Sequence, residues 1–463
     1  MSELTPNLDF TSSEPLYVQL YKYIKNEIKT GNLTVMAKLP SKRKFARYLE
    51  VSENTIESAY EQLMAEGYIE SKARKGYFVC AVEQPVFSSA NEEPLAEEKK
   101  HIDGKYLYHF THSGVDIRTF PFSVFRKLTN QVLTKDNGEV LSLGHPQGEL
   151  ELRNEIAKYL YKSRGVNCSP SQIILGSGTQ YLMKSLLQLL EGSIFAVENP
   201  GYHRKLVIFE KGMENVRDIP LDEDGLILSK LKKSGANIVF VTPSHQFPCG
   251  MIMPIARRMQ LLQWAKGKPG RYIIEDDYDS EFRYTGKPIP ALQGLDKDEK
   301  VIYMGTFSKA LLPSLRISYM VLPRPLLKIY QEDYFFYAQT VSRIDQEILI
   351  KFLQEGYWDK HIQKMRVVYR KKRDSLMTAI SKYFPPCAEV IGQDSGLHIL
   401  VRPNNGMTEQ ELIKKAADAG VKVYPVSQFG MNEGHTILLG FALMSEEELE
   451  VAVLHLSEAW YSN

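Results

Sequence analysis

Apolar positions define the first unit of the chain. Leu16, Leu20, Tyr23, Ile24 and Ile28 recur near helical spacing, and Gly31 ends the run. Ser41 is placed to cap a second helix, KRKFARYLE. Ser52 is placed to cap a third, ENTIESAYEQLMAEG, which Gly67 closes. The next stretch, YIESKARKGYFV, has two strand-like pieces around a basic, glycine-containing tip, the pattern of a β-hairpin. Residues 1–80 therefore predict one small domain. Residues 81–105 are rich in Glu, Pro, Ser and Lys and carry few large apolar groups, so they predict a flexible linker. From 106 to 463 the rhythm changes again. Apolar runs (QIILG, SIFAVE, NIVFVT, RYIIED, VIYMG) alternate with helical patterns (TQYLMKSLLQLLEG, ARRMQLLQWAKG). That alternation predicts an α/β unit with a largely parallel sheet covered by helices. Long charged helices followed by GLHILV, VKVYPV and TILLGFAL predict a smaller C-terminal α+β subdomain.

Composition narrows the class without choosing the function. A chain of 463 residues suggests two or three domains, and 43% apolar with 24% charged residues is the balance of a soluble globular protein. The net charge of +1 says nothing about nucleic acid, for which a local basic patch is needed. Cys80, Cys168, Cys249 and Cys387 lie far apart with no Cys-x-x-Cys pair, so neither a disulfide framework nor a metal site is expected. The N-terminus lacks the basic-then-apolar pattern of a secretory signal, and no apolar run of about 18 residues is present. A cytoplasmic protein is expected.

Three helices followed by a hairpin are the winged helix-turn-helix pattern. The third helix would present Ser52, Glu53, Asn54 and Thr55 to base edges, and Asn54 and Thr55 can hydrogen-bond bases or phosphates. The second helix opens with Ser41, Lys42, Arg43 and Lys44, and Arg47 follows. The hairpin tip adds Lys72, Arg74 and Lys75. Any one of these lysines reads equally well as solvated surface. The order of caps, basic cluster and wing points to DNA. The run LPSKRKFARYLEVSENTIESAYEQLMAEGYIESKARKGYFV resembles the GntR family of bacterial regulators. That family usually has arginine after the capping serine and often a basic residue four positions on. Glu53 and Glu57 stand there instead, which implies an altered operator sequence or binding strength.

Three segments of the larger unit carry chemistry. In VIYMGTFSKALLPSLRISY, Lys309 can form a Schiff base with an aldehyde cofactor if its amine is made nucleophilic, and Thr306, Ser308 and Arg316 suit a phosphate. In RYIIEDDYDSEF, a strand ends in acids and a tyrosine. A carboxylate there can pair with a pyridine nitrogen and the tyrosine can donate to a phenolic oxygen. A solvated strand end or a magnesium site are the alternatives, and neither accounts for the lysine segment. In ILGSGTQYLMKSLL, a strand turns through Gly-Ser-Gly-Thr into a helix, which is either a phosphate cradle or an ordinary tight turn.

Together these segments resemble fold-type I enzymes dependent on pyridoxal 5'-phosphate (PLP), the aspartate aminotransferase superfamily. With the N-terminal unit, the chain resembles the MocR subfamily of GntR regulators, including its GABA-responsive, GabR-like members. The shared motifs are HPQGELELR, SGTQ, ENPGY, TPSHQFPCG, IIEDDYDSEF and MGTFSKALLPSLRISYMV. The resemblance implies that Lys309 carries the PLP Schiff base, Asp276 faces the pyridine nitrogen, Tyr278 reaches the phenolic oxygen and Tyr202 stacks on the ring. It implies that Gly178, Thr179, Thr306, Ser308 and Arg316 hold the phosphate. Arg204 matches a residue that contacts the effector's distal carboxylate in GABA-responsive relatives. His145 would lie near the cofactor entrance, or serve only its own turn. A head-to-tail homodimer on double-stranded operator DNA, sensing an amine compound or PLP itself, is the implied assembly. One departure stands out. The family's Gly-Phe-Ala-Arg segment reads GFALM here, and Leu443 cannot make the bidentate pair with a substrate carboxylate. A working aminotransferase carrying a DNA-binding arm is therefore the alternative function, not the leading one. Arg402 is either a substitute cation or a solvated strand end, and Cys249 reads as a buried small side chain.

Overall fold

The computed structural model describes residues 4–12, 14–73, 75–81, 106–202, 213–284, 289–431 and 434–462. It divides into two units, Met1–Ile102 and Asp103–Asn463. Residues 82–105, nearly all of the expected linker, lie outside the described residues, as do Arg74 and Arg204. Among the described residues, no helix is long and apolar enough to cross a membrane.

The first unit is three helices and a hairpin. Helix α1 (Leu16–Lys29) buries Leu20, Tyr21, Ile24 and Ile28. The buried face is therefore turned slightly from the expected one: Tyr21 enters the core, and Tyr23 is half-buried. Helix α2 (Lys42–Tyr48) is capped by Ser41, which accepts from the Lys44 N–H at 3.4 Å. Helix α3 (Glu53–Ala65) is capped by Ser52, which accepts from the Thr55 N–H at 3.1 Å. Such caps satisfy amides that the first helical turn leaves open. Ile56, Ala59, Tyr60 and Leu63 of α3 are wholly buried beside Leu20 and Ile24. Each large apolar side chain so buried contributes about 1.5–3 kcal/mol. Strands β1 (Ile69–Lys72) and β2 (Gly76–Val79) pair antiparallel, Ile69 opposite Val79.

The second unit begins with the short strand β3 (Tyr108–His109) and the helices α4 (Phe122–Val132) and α5 (Leu150–Arg164). Its main sheet has eight strands. These are β4 (Ile173–Gly176), β5 (Phe195–Asn199), β6 (Val216–Asp222), β7 (Gly225–Leu226), β8 (Ile238–Val241), β9 (Tyr272–Asp277), β10 (Val301–Thr306) and β11 (Ser318–Val321). Their order is β4-β11-β10-β9-β8-β5-β6-β7. Strands β10, β9, β8, β5 and β6 run parallel. The runs of β5, β8, β9 and β10 are buried along nearly their whole length because both faces are covered, whereas β6, toward the edge, alternates buried and exposed positions. Ile274, Ile302 and Met304 meet helix α6 (Thr179–Leu189), while Ile273 and Val301 meet Leu261 and Trp264 of the helix Ile255–Lys266.

Strand β11 breaks the pattern: it is antiparallel to both neighbours, β4 and β10. The turn between β10 and β11 carries Lys309 and Arg316, and its ends are joined, Thr306 opposite Ser318. A second sheet, antiparallel, is built from β12 (Glu389–Ile391), β13 (His398–Arg402), β15 (Tyr424–Pro425) and β16 (Ile437–Gly440), while β14 (Val421–Lys422) pairs with β3. The helices Tyr357–Tyr383 and Glu446–Tyr461 pack on one another beside it. This is the fold-type I arrangement with a C-terminal α+β subdomain. The carboxyl ends of β9 and β10 and the amino end of α6 open on one place, where ligands settle in open parallel sheets.

Candidate functional site

That place holds a cavity of about 220 Å³. Thr179, Tyr202, Asp276, Tyr278, Thr306, Ser308, Lys309 and Arg316 line it, together with His112, Ser113, Gln180, Thr242, Phe247 and Pro313. Segments far apart in the chain thus converge. Lys309 donates from Nζ to the carbonyl of His112. Burial pulls its ammonium down to about 8, against the opposing pull of the Asp279 carboxylate. A share of the amine is therefore neutral near physiological pH, the form that attacks an aldehyde. Burial, with the nearby Lys309 charge, also pulls the His112 imidazole down to about 4.

Asp276 is buried at the end of β9. Tyr278 donates from Oη to the backbone carbonyl of His245 at 3.0 Å and lies 3.0 Å from His245 Nδ1. The ring of Tyr202 meets Phe247 edge-on, centroids 5.3 Å apart. At the end of β10, Thr306 Oγ1 accepts from the Ser308 N–H at 3.1 Å and from Ser318 Oγ at 2.8 Å. Arg316 adopts the left-handed region, φ 52° and ψ 32°, and Nη2 donates to the Ser177 carbonyl at 3.3 Å. A non-glycine residue there carries strain of about 1 kcal/mol or more. Gly178, at φ +100°, lies so close that a Cβ would come within 2.1 Å of Arg316 Nη2.

These features test the fit of a phosphate-bearing cofactor. Ser308 Oγ is buried with no hydrogen-bond partner among the described residues. A bare glycine backbone, an unmet hydroxyl, a guanidinium and the amino end of α6 meet in one corner, which suits an anion. The buried amine of Lys309 and the carboxylate of Asp276 line the same cavity. The set fits PLP.

Other expected residues sit elsewhere. His145 does not line this cavity. Its Nδ1 accepts from the Gln147 N–H at 3.1 Å and its ring meets Phe335 edge-on, so it serves its own turn. Arg402, at the end of β13, pairs with Glu389 of the edge strand β12 at 2.9 Å and is not part of the lining. Cys249 is buried. Leu443 is close by: a Cβ on Gly114 would lie 3.1 Å from Leu443 Cβ, and Ser113 lines the cavity. Lys309 and Arg316 are the only Lys or Arg among its described lining residues. Sequence reasoning misses His112, Ser113 and Phe247. They carry no nucleophile or phosphate pattern and reach the cavity only through folding.

In the N-terminal unit, Asn54 is exposed at the start of α3 and Thr55 is half-buried, its hydroxyl 2.9 Å from Ser52 Oγ. Lys75 is exposed at the hairpin turn. Lys42 pairs with Glu57, and Arg43 Nε pairs with Glu53 at 3.2 Å. The two acids that depart from the GntR pattern thus hold two of the expected DNA-contacting cations across the helix pair.

Comparison with known proteins agrees with this geometry. Residues 116–456 match the family Aminotransferase class I and II, and residues 16–79 match Bacterial regulatory proteins, gntR family. The chain is 46% identical to the uncharacterized HTH-type transcriptional regulator YdeL of Bacillus subtilis, covering 99% of each. It is 31% identical to the probable rhizopine catabolism regulatory protein MocR of Rhizobium meliloti, covering 98% of this chain and 95% of that one. Among solved structures, kynurenine aminotransferase of Pyrococcus horikoshii, in complex with PMP, matches with a TM-score of 0.66 and 25% identity. That match covers 76% of this chain and 90% of the enzyme. The chain belongs to the MocR type of HTH transcription regulators, which join a GntR DNA-binding domain to a PLP-binding aminotransferase class I and II domain.

Proposed function

We propose that the larger unit captures PLP at Lys309 and converts the presence of an amine compound, or of PLP itself, into a change in DNA binding, without serving as a working aminotransferase. The observation that carries this reading is the cavity's uneven equipment. Lysine, aspartate, tyrosine and phosphate cradle are together, while Leu443 stands beside it where amino-acid chemistry needs a guanidinium.

In this reading Lys309 holds the cofactor, and Asp276 keeps a proton on the pyridine nitrogen. Tyr278 turns its hydroxyl to the phenolic oxygen, and Tyr202 and Phe247 cover the ring. Gly178, Thr179, Thr306, Ser308 and Arg316 hold the phosphate. When bound, PLP supplies an electrophilic carbon to which an amine can add. Arg204, outside the described residues, is assigned to the far end of the effector. Residues 1–80 act as the reader, with Ser41, Lys42, Arg43, Ser52, Asn54, Thr55, Arg74 and Lys75 at the DNA. Residues 81–105 act as the tether and 106–463 as the sensor. A head-to-tail homodimer in the cytoplasm gives two readers per particle and two half-sites per operator. An effector shifts this system only if it binds one arrangement more tightly than the other.

The test is a footprint on the DNA upstream of the regulated gene, with and without PLP and candidate amines. Protection that changes with either compound is expected, and protection indifferent to both would remove the sensor role. The complete lysine–aspartate–tyrosine set favours a second reading, an active aminotransferase. Sustained turnover of an amino donor with a keto acid, at roughly the ten cycles per second of an ordinary enzyme, would establish it instead.

A further inference from the structure

A second cavity, of about 460 Å³, is bordered by His245, the residue that Tyr278 touches. Its walls come from α5, the turn after β9, the helix Tyr357–Tyr383 and the turn at Ser395. The lining of the cavity is rich in cations. Arg366 and Arg370 line it, with Arg283 beside them. Among the lining cations, Arg164 pairs with Asp277 at 2.7 Å and Lys162 with Asp359 at 3.2 Å, and Arg366 Nε donates to the Glu281 carbonyl at 2.7 Å. The acid Glu281 accepts from the Tyr159 hydroxyl at 2.7 Å, and burial pushes its carboxyl up to about 7, so part of its charge is lost at neutral pH.

Two buried polar atoms in this wall have no hydrogen-bond partner among the described residues: Ser395 Oγ and His245 Nε2. Ser395 is 5% exposed and His245 2%. Buried polar groups left unmet are costly, and folded proteins rarely keep them without a ligand or water. The His245 ring is fixed. Nδ1 lies 2.9 Å from Asp279 Oδ2, and Gly396 packs on the ring so closely that a Cβ would come within 1.9 Å of Cε1. The chain around the ring therefore holds Nε2 in one place.

We infer that this cavity is a second small-molecule site, one that takes a compact organic or inorganic anion bearing a phosphate or carboxylate group. Arg366 and Arg370 supply the forked donors that match such groups. Ser395 Oγ supplies an inner hydroxyl donor, and His245 Nε2, whose ring turns Nδ1 to Asp279, is placed to accept from a protonated oxygen of the ligand. The imidazole that lines this cavity also touches Tyr278, so the two sites are one ring apart.

The experiment uses the full-length chain saturated with PLP and reduced with borohydride, so that the first cavity is closed to the probes. Inorganic phosphate and succinate are titrated separately by calorimetry. Saturable binding of at least one probe at one per chain is expected, weakened about tenfold or more in R366A/R370A and severalfold in S395A. The arginine pair is exposed, so that variant should fold, and circular dichroism checks it. Phosphate alone, succinate alone or both binding assigns the anion class. No saturable binding of either probe, or binding by R366A/R370A within twofold of the parent chain, overturns the proposal.

Discussion

The two units handle charge in opposite ways. The DNA-binding unit holds two of its cations near the surface in pairs: Arg43 with Glu53, Lys42 with Glu57. The sensor cavity keeps its amine inside, where Nζ donates to the carbonyl of His112. Solvent-exposed pairs are worth about 0–1 kcal/mol and yield easily to a competing phosphate. A buried amine is chemically altered by its surroundings. The first arrangement suits reversible contact with a polyanion, and the second suits covalent capture.

The largest expected effect breaks the sensor side outright. K309A should abolish the hydride-reducible PLP adduct, read by mass spectrometry after borohydride treatment, while leaving the N-terminal fold intact. An adduct at another lysine would contradict the assignment. The parent chain should show the mark of the lowered amine. Its rate of PLP capture should rise about tenfold per pH unit below pH 8 and level off above, because the neutral form attacks. A flat profile between about pH 6 and 8 would mean that burial is not setting the nucleophile. G178V places side-chain atoms onto Arg316 at φ +100° and should weaken PLP binding about a hundredfold, equivalent to about 2.7 kcal/mol. Unchanged affinity by absorbance titration would move the phosphate elsewhere.

Two smaller effects sharpen the contrast. L443R restores a guanidinium beside Ser113 and should raise kcat/KM for amino-acid conversion about tenfold. No gain would show that more than one residue separates this sensor from an enzyme. E53Q/E57Q should release Arg43 and Lys42, change stability by less than about 1 kcal/mol, and tighten DNA binding a few-fold. The salt dependence of log K should steepen by about 0.9 for each additional phosphate that the freed cations neutralise. An unchanged slope would place these cations away from the DNA.

The same contrast explains what the sequence disclosed. Ser41, Ser52 and Gly67 act within one turn of chain, so the helix ends and the hairpin were legible. The alternation of strands and helices was legible because the central strands β5, β8, β9 and β10 are buried on both faces. The entry of Tyr21 into the core, with Tyr23 only half-buried, depends on helix phase, which a few apolar positions do not fix. The antiparallel course of β11 was not legible, because RISYMV reads alike in either direction. Within the cavity, Lys309, Asp276 and Tyr278 could be found because their chemistry is local and their motifs resemble a family. His112 and Phe247 could not, since their place depends on segments far along the chain. The pairing of Lys42 with Glu57 was likewise hidden, because it joins two helices whose relative placement the sequence does not state.

The reversed strand β11 has a further consequence. It returns the chain to the end of β10, where the Phe307 N–H donates to the Ile317 carbonyl at 3.0 Å and the Leu311 N–H to the Phe307 carbonyl at 2.9 Å. The lysine-bearing loop is thus clamped at its base by backbone hydrogen bonds. Its ordering entropy is incurred when the protein folds, before any ligand arrives. Association with the vitamin-derived aldehyde should therefore proceed as docking into a preorganised mould, with little heat-capacity change beyond the surface covered.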